Sequence, residues 1–316
     1  MRSLLFGSIA ALSVAIGASG GAQAARNSWS SGAAMPTAVW FAGGVGVLKA
    51  KIYVVGGLVG AYGSAPIADT QIYDPATNSW SEGASLPTTL EGGAGAVVNN
   101  VLYIMGGSVD GTTYTSAVWA YDLKKNSWAA KASMSTALHD AGVAVENGVI
   151  YLVGGNSADA LRSNIVEAYD PATDAWTTEA PLAVGKSEPS VALLKSTIVA
   201  ADGYGGNGVT GDNEGYSSAA NTWSSLKSDP TARNAACAGG ISGRMIVAGG
   251  SPDGSSSTTL TESYTLAKNK WKKLAPLPQA ALVAGSAVYG GSLYCFGGAT
   301  SYPSGTVLNN VQIYQP

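Results

Sequence analysis

The chain has one histidine, two cysteines and three phenylalanines, and only 12% of its 316 residues are charged. A single histidine, His139, cannot build a multi-histidine transition-metal site. Two cysteines rule out both a disulfide-dense scaffold and a zinc-spaced Cys/His set. The formal net charge is −3, with no basic stripe, so nucleic acid is not an expected partner. No polybasic or amphipathic segment is present to meet anionic lipid. Beyond residue 24 there is no Gly-x-Ser-x-Gly elbow, no phosphate-binding loop and no Asn-x-Ser/Thr sequon. No cofactor and no metal are expected. A sustained helical period with caps is also missing, which leaves β-structure.

What the chain does have is repetition. A short apolar run ends in a glycine doublet at Gly56-Gly57, Gly106-Gly107, Gly154-Gly155, Gly249-Gly250 and Gly297-Gly298, with a degenerate Asp202-Gly203 between the third and fifth. A tyrosine follows each: Tyr73, Tyr121, Tyr169, Tyr216, Tyr264 and Tyr314, spaced 48, 48, 47, 48 and 50 residues apart. Trp80, Trp128, Trp176, Trp223 and Trp271 follow the first five tyrosines by seven residues. A period near 50 marks a propeller array. Tyr314 has no tryptophan after it, whereas Asn27-Ser28-Trp29 matches Asn78-Ser79-Trp80. The N-terminal segment is therefore expected to supply the last strand of the sixth repeat and to close the ring, which limits exposed sheet edges.

Runs such as Ile52–Val55 and Leu102–Met105 are β-formers bounded by glycine. Asp74-Pro75-Ala76-Thr77-Asn78 and Asp170-Pro171-Ala172-Thr173-Asp174 are turn sequences. Together, Ile52 to Gly57 and Tyr73 to Trp80, with near copies at Leu102 to Trp128 and Ile150 to Trp176, resemble the kelch repeat family. The resemblance spans essentially the whole chain after residue 24, and it is weakest in the fourth repeat, where Ser-Ser follows Tyr216. It implies an all-β, six-bladed kelch-type propeller with four antiparallel strands per blade.

Met1 to Ala24 reads as a secretory signal peptide: Arg2, an uncharged apolar run from Leu4 to Ile16, and a small-x-small site at Ala22-Gln23-Ala24. The expected product is residues 25–316 as one propeller. It would be exported to the periplasm or outside the cell, monomeric, and without an integral membrane segment. Cys237 and Cys295 would fall in adjacent blades. A disulfide is permitted in an exported chain, but sequence does not give the Cα separation, and two buried inert thiols are the reading taken here.

The repeats differ where function is to be sought. Aligned on their doublets, the entrances to the six inner strands read Trp40-Phe41-Ala42, Leu90-Glu91-Gly92, Leu138-His139-Asp140, Lys186-Ser187-Glu188, Arg233-Asn234-Ala235 and Ala281-Leu282-Val283. In a chain so poor in charge, Glu91, His139, Asp140, Lys186, Glu188, Arg233 and Asn234 gather at one opening, facing Trp40 and Phe41. An aromatic wall opposite hydrogen-bonding groups suits a sugar or a peptide segment. The loops after the doublets of repeats one and six carry Tyr62 and Tyr302 to the same face. Asp212-Asn213-Glu214 offers three oxygen-bearing side chains, but its spacing matches no calcium loop and reads as a polar turn.

Kelch propellers commonly serve as interaction platforms. The resemblance therefore favours an exported binding protein that takes a glycan or a protein segment on its loop face. The alternative is a sugar-modifying enzyme of the sialic-acid epimerase (mutarotase) kind, with Arg233, Lys186, Glu188 and Glu91 acting on a carboxylated sugar. No motif assigns catalytic residues. A kelch-bearing copper radical oxidase is disfavoured because that copper site needs two histidines.

Overall fold

A computed structural model describes residues 26–316; the signal-peptide reading of residues 1–24 lies outside the described residues. These residues form seven antiparallel sheets. Six have four strands and follow one another along the chain. The first comprises Gly44–Leu48, Lys51–Leu58, Pro66–Asp74 and Ser79–Gly83. The second to fifth start at Ala94, Gly142, Ser190 and Cys237. The sixth joins Gly285–Tyr289, Ser292–Phe296 and Val311–Gln315 to the N-terminal strand Ser28–Gly32. Within it Trp29 sits opposite Tyr314.

The seventh sheet corrects the expectation of a six-bladed propeller. The segment after Asp202-Gly203 folds back as a short hairpin, Tyr204–Gly205 with Gly208–Val209, and pairs with Lys186–Ser187. Seven sheets are therefore present among the described residues, not six. The small one exists because Gly205, Gly206 and Gly208 permit a tight reversal there.

The repeated residues bind each sheet to the one before it. In every repeat an Asn or Asp with positive φ (Asn27, Asn78, Asn126, Asp174, Asn221, Asn269) accepts from the repeat tyrosine hydroxyl. The same Oδ1 also accepts a backbone N–H from the previous sheet: Ala33 to Asn78, Ala84 to Asn126, Ala132 to Asp174, Ala180 to Asn221, Lys227 to Asn269 and Ala275 to Asn27. The repeat tryptophan then donates its Nε1–H to the carbonyl of that same residue, as Trp80 does to Ala33 at 2.8 Å. Asn and Asp are the non-glycine residues that best tolerate the left-handed region, which explains their recurrence at the turn.

The doublets have a similar cause. The first glycine takes φ near +64 in sheets one and two, and a Cβ there would lie 2.3 Å from the carbonyl oxygen of Leu90 or Leu138 in the next sheet. The second glycine donates its N–H to that same carbonyl, Gly57 to Leu90 and Gly107 to Leu138, each at 2.8 Å. Asp202 occupies this left-handed position in the fourth repeat at φ 61.

Cys237 and Cys295 are disulfide-bonded, with Cα atoms 5.9 Å apart, which corrects the free-thiol reading. The bond ties the inner strand of the fifth sheet to the second strand of the sixth. No helix among the described residues is long and apolar enough to cross a membrane.

Candidate functional site

The entrances to the six inner strands close into a circuit of backbone hydrogen bonds. The N–H of Phe41 donates to the carbonyl of Val283, Gly92 to Phe41, Asp140 to Gly92, Glu188 to Asp140, Ala235 to Glu188 and Val283 to Ala235, all within 3.3 Å. All six residues have φ between 47 and 59. This ring frames the opening of a central channel of about 660 Å³, whose wall is largely Gly, Ala and Val of the inner strands. Above it lies a cavity of about 290 Å³.

The ring also corrects the alignment of the first repeat by one residue. Trp40 bridges to Leu58 as Glu91 does to Ser108 and His139 to Asn156, so Trp40, not Phe41, is their equivalent. Two residues separate Phe41 from the strand start at Gly44, where the other sheets place one. Phe41, Gly92, Asp140, Glu188, Ala235 and Val283 are thus the true equivalents around the opening.

Of the nine residues singled out in the sequence, five line the cavity: Phe41, His139, Asp140, Glu188 and Asn234. Trp40 is wholly buried, donates its Nε1–H to the Gly60 carbonyl at 2.8 Å, and backs the rings of Phe41, Tyr62 and Tyr302. Glu91 lies behind His139. Lys186 and Arg233 are wholly buried and do not line the cavity. Lys186 Nζ is 3.4 Å from Glu214 and donates to the Asp212 carbonyl. Arg233 pairs with Asp229 at 3.0 Å and with Glu262, and donates to the carbonyls of Thr231 and Leu260. Each is two residues before its ring position, so its carbonyl meets a doublet glycine while its charge is spent on the sheet behind. Asn213 and Glu214 belong to a strand and are buried, so they do not form the polar turn expected of them. Among the described residues no His/Cys/Asp/Glu cluster is arranged to hold a metal ion.

The charges at the opening are unequally paired. Both oxygens of Glu91 stand 3.0 Å from His139 Nε2, and Asp140 Oδ2 stands 2.8 Å from His139 Nδ1. The ring of Tyr114 stacks on the imidazole at 5.0 Å with planes 3° apart, and Phe41 lies at 6.4 Å. Burial works against the imidazolium, but Asp140 and Glu91 outweigh it and hold His139 well above its ordinary range. Glu188 has no such cation; the Asn234 side-chain amide donates to it instead. Loss of hydration, reinforced by the Asp140 carboxylate, pushes Glu188 up to about 8. At neutral pH Glu188 carries a proton, while Asp140 faces a cation.

Several lining residues were not singled out: Tyr114, Asn156, Arg162 and Tyr204. Asn156 and Tyr204 directly follow the doublets Gly154-Gly155 and Asp202-Gly203, a position occupied elsewhere by Leu58, Ser108, Ser251 and Ala299. That variation was a usable signal. Arg162 lies in the loop after the third doublet, at the position that Tyr114 and Ser257 hold in loops of equal length. It holds φ 62, unusual for a non-glycine residue, while its N–H bonds Asn156 Oδ1 and its guanidinium rests 4.7 Å over the Tyr204 ring. Among the described residues no carboxylate forms an ion pair with it. Opposite stand Tyr62 and Tyr302, edge to face at 4.9 Å.

Comparison with known proteins places this geometry. The Attractin/LZTR1 beta-propeller model matches residues 52–311, which corrects the kelch assignment. An F-box/kelch-repeat protein of Arabidopsis thaliana is 42% identical over 62 residues, 19% of this chain and 13% of that protein. The chain thus spans only a small part of that relative. The solved structure of YjhT superposes with a TM-score of 0.75 at 17% identity, over 89% of this chain and 96% of that one. At that identity the likeness speaks for the fold.

Proposed function

The chain belongs to the Attractin/LZTR1 beta-propeller family, and from the side chains that line the cavity above its ring we propose that it is a sugar-modifying enzyme of the epimerase or mutarotase kind, acting there on a carboxylated sugar. The observation that carries this reading is a pair of neighbouring carboxyls with unlike partners. Glu188, pushed up to about 8, is held by the Asn234 amide, whereas Asp140 stands 2.8 Å from His139 Nδ1. Anomer exchange needs both an acid and a base. Asp140 accepts the proton of the anomeric hydroxyl and Glu188 gives its proton to the ring oxygen. The carbon–ring-oxygen bond breaks and the anomeric carbon becomes a carbonyl. Reclosure on the other face returns both protons. Each positioned group contributes on the order of 10²- to 10⁴-fold to such a transfer.

Arg162 supplies the cation for the substrate carboxylate, a role the sequence had given to Lys186 and Arg233. Phe41, Tyr62 and Tyr302 offer the wall against which the apolar face of a sugar rests. All of these groups come from one chain, so a monomer is sufficient. Residues 1–24 are read as a leader removed on export, which N-terminal sequencing of the exported protein checks.

The test is magnetisation-exchange NMR on sialic acid and on glucose with purified protein. Faster anomer exchange of the carboxylated sugar supports the enzyme reading. Binding without any acceleration overturns it in favour of a glycan-binding module. Neither binding nor acceleration removes the cavity as a sugar site.

A further inference from the structure

We propose that Glu91 is a positioning residue for this site: by meeting His139 Nε2 with both carboxylate oxygens, it fixes the imidazole so that Nδ1 is presented to Asp140 and not to Glu188. The inference rests on the enzyme reading for its consequence, but its geometry stands apart from it.

Glu91 is 1% exposed and lines neither the cavity nor the channel, so substrate does not reach it. A carboxylate buried to that degree is costly unless it is paired, and its pairing here is with the one histidine of the chain. Its backbone is pinned as well. Glu91 exchanges both backbone hydrogen bonds with Ser108, at 2.9 and 2.8 Å. The imidazole has little freedom of its own. Its ring is stacked between Tyr114 and Phe41, and Gly92 lies so close that a Cβ there would stand 2.1 Å from Nε2. A side chain at residue 92 would displace the histidine. The charged and titratable groups around His139 are Glu91, Asp140, Tyr114 and, further off, Glu188. Of these only Glu91 meets Nε2, and only Asp140 meets Nδ1. Glu91 and Asp140 thus form a clasp from two successive sheets, and Glu188 lies outside it.

The clasp sets the imidazole directly against Asp140, while Glu188 takes the Asn234 amide and feels the imidazole only at a distance. Removing Glu91 takes away one of the two carboxylates that hold the imidazolium and lowers its proton affinity, with Asp140 remaining. The ring is then free to turn, and Nδ1 is no longer held against Asp140.

Because His139 is the sole histidine, long-range ¹H–¹⁵N NMR of protein made without a polyhistidine tag reads its imidazole without overlap. In the wild type both nitrogens are expected to stay protonated at pH 7.5. In Glu91→Gln the imidazole is expected to titrate at least about one pH unit lower, a tenfold change in its proton affinity. The pH profile of the anomer-exchange rate should shift with it. A wild-type imidazole already neutral at pH 7.5 overturns the proposal, whether or not the variant folds. So does a Glu91→Gln protein whose imidazole titrates as the wild type does. If the NMR behaves as expected and no sugar is turned over, the clasp stands and the enzyme reading falls. If turnover is present and the imidazole is indifferent to Glu91, the reverse holds.

Discussion

The hydroxyl of Tyr314 donates to Asn27 Oδ1 at 2.9 Å, joining residues 287 positions apart. The same oxygen accepts the Ala275 N–H at 3.0 Å, and Trp29 donates to the Ala275 carbonyl at 2.9 Å. This set of bonds is the one that holds every other pair of consecutive sheets, made here by the two ends of the chain. Asn27→Ala should therefore cost about as much as the interior equivalent Asn126→Ala, on the order of 2 kcal/mol for two lost hydrogen bonds and a left-handed backbone without its preferred residue. Urea denaturation of both variants checks it. An Asn27→Ala protein as stable as the wild type would mean that the closing strand contributes little.

Gly92→Ala should abolish activity and cost more stability than Gly111→Ala. Both glycines have positive φ, and each substitution carries the backbone penalty of about 1 kcal/mol. Around Gly111 nothing lies within 4 Å of a Cβ, whereas at Gly92 the new methyl meets His139 Nε2 and the Asp140 carboxylate. Thermal unfolding and the exchange rate, measured side by side, separate the two effects.

Asp202→Gly should raise stability at neutral pH by about 1 kcal/mol or more. Asp202 stands where the other five repeats place glycine, in the left-handed region. It is wholly buried, and neither carboxyl oxygen makes a hydrogen bond. Burial, with the neighbouring Asp229 carboxyl, holds it well above the ordinary carboxylate range. Arg233 keeps Asp229 and Glu262 after the change. A loss of stability in the variant would show that Asp202 is needed to balance Lys186 and Arg233.

The pH dependence of stability should carry the mark of Glu188. Its folded carboxyl titrates near 8 against 4.5 as an ordinary side chain, so the folded state binds the proton more tightly. That contribution is full below about pH 4.5 and is lost as pH rises through about 8. Glu188→Gln should flatten the decline across that window. Glu262, raised to about 7 chiefly by burial, will leave a residual slope. Denaturation series at pH 5 and pH 9 decide it; equal slopes in wild type and variant would count against the raised carboxyl.

Reduction of the Cys237–Cys295 bond should destabilise the protein by roughly 2 to 4 kcal/mol. The double Ser variant, denatured beside the oxidised wild type, measures this.

What the sequence revealed followed how often a residue recurs. The tyrosine, the Asn or Asp, and the tryptophan appear in every repeat because every pair of neighbouring sheets needs the same three bonds, and so the ring and its closure by Trp29 were readable. The seventh sheet was not, since the pairing that Ser108 makes with Glu91 and Tyr114 as single bridges lengthens into two-residue strands only around Tyr204. The extra residue after Phe41 shifted one repeat out of register with the rest. Lys186 and Arg233 were placed at the opening by position alone, but a side chain two residues before the ring turns toward the sheet behind it. Arg162 was hidden because the loop it shares in length with those of Tyr114 and Ser257 changes its residues from repeat to repeat, and it reaches the cavity through a left-handed backbone that its residue type does not announce. Asp140 and Glu188 were both found. That Asn234 reaches Glu188, and Glu91 reaches His139, from neighbouring sheets is what spacing alone does not convey.

The most direct test of the account is the anomer-exchange rate of sialic acid with Glu188→Gln at pH 7, measured together with binding. The amide keeps the shape and the contact with Asn234 but has no carboxyl proton to give. The account expects a rate at least 100-fold below wild type, with affinity for the sugar retained. A Glu188→Gln protein that binds and exchanges sialic acid at the wild-type rate would contradict it.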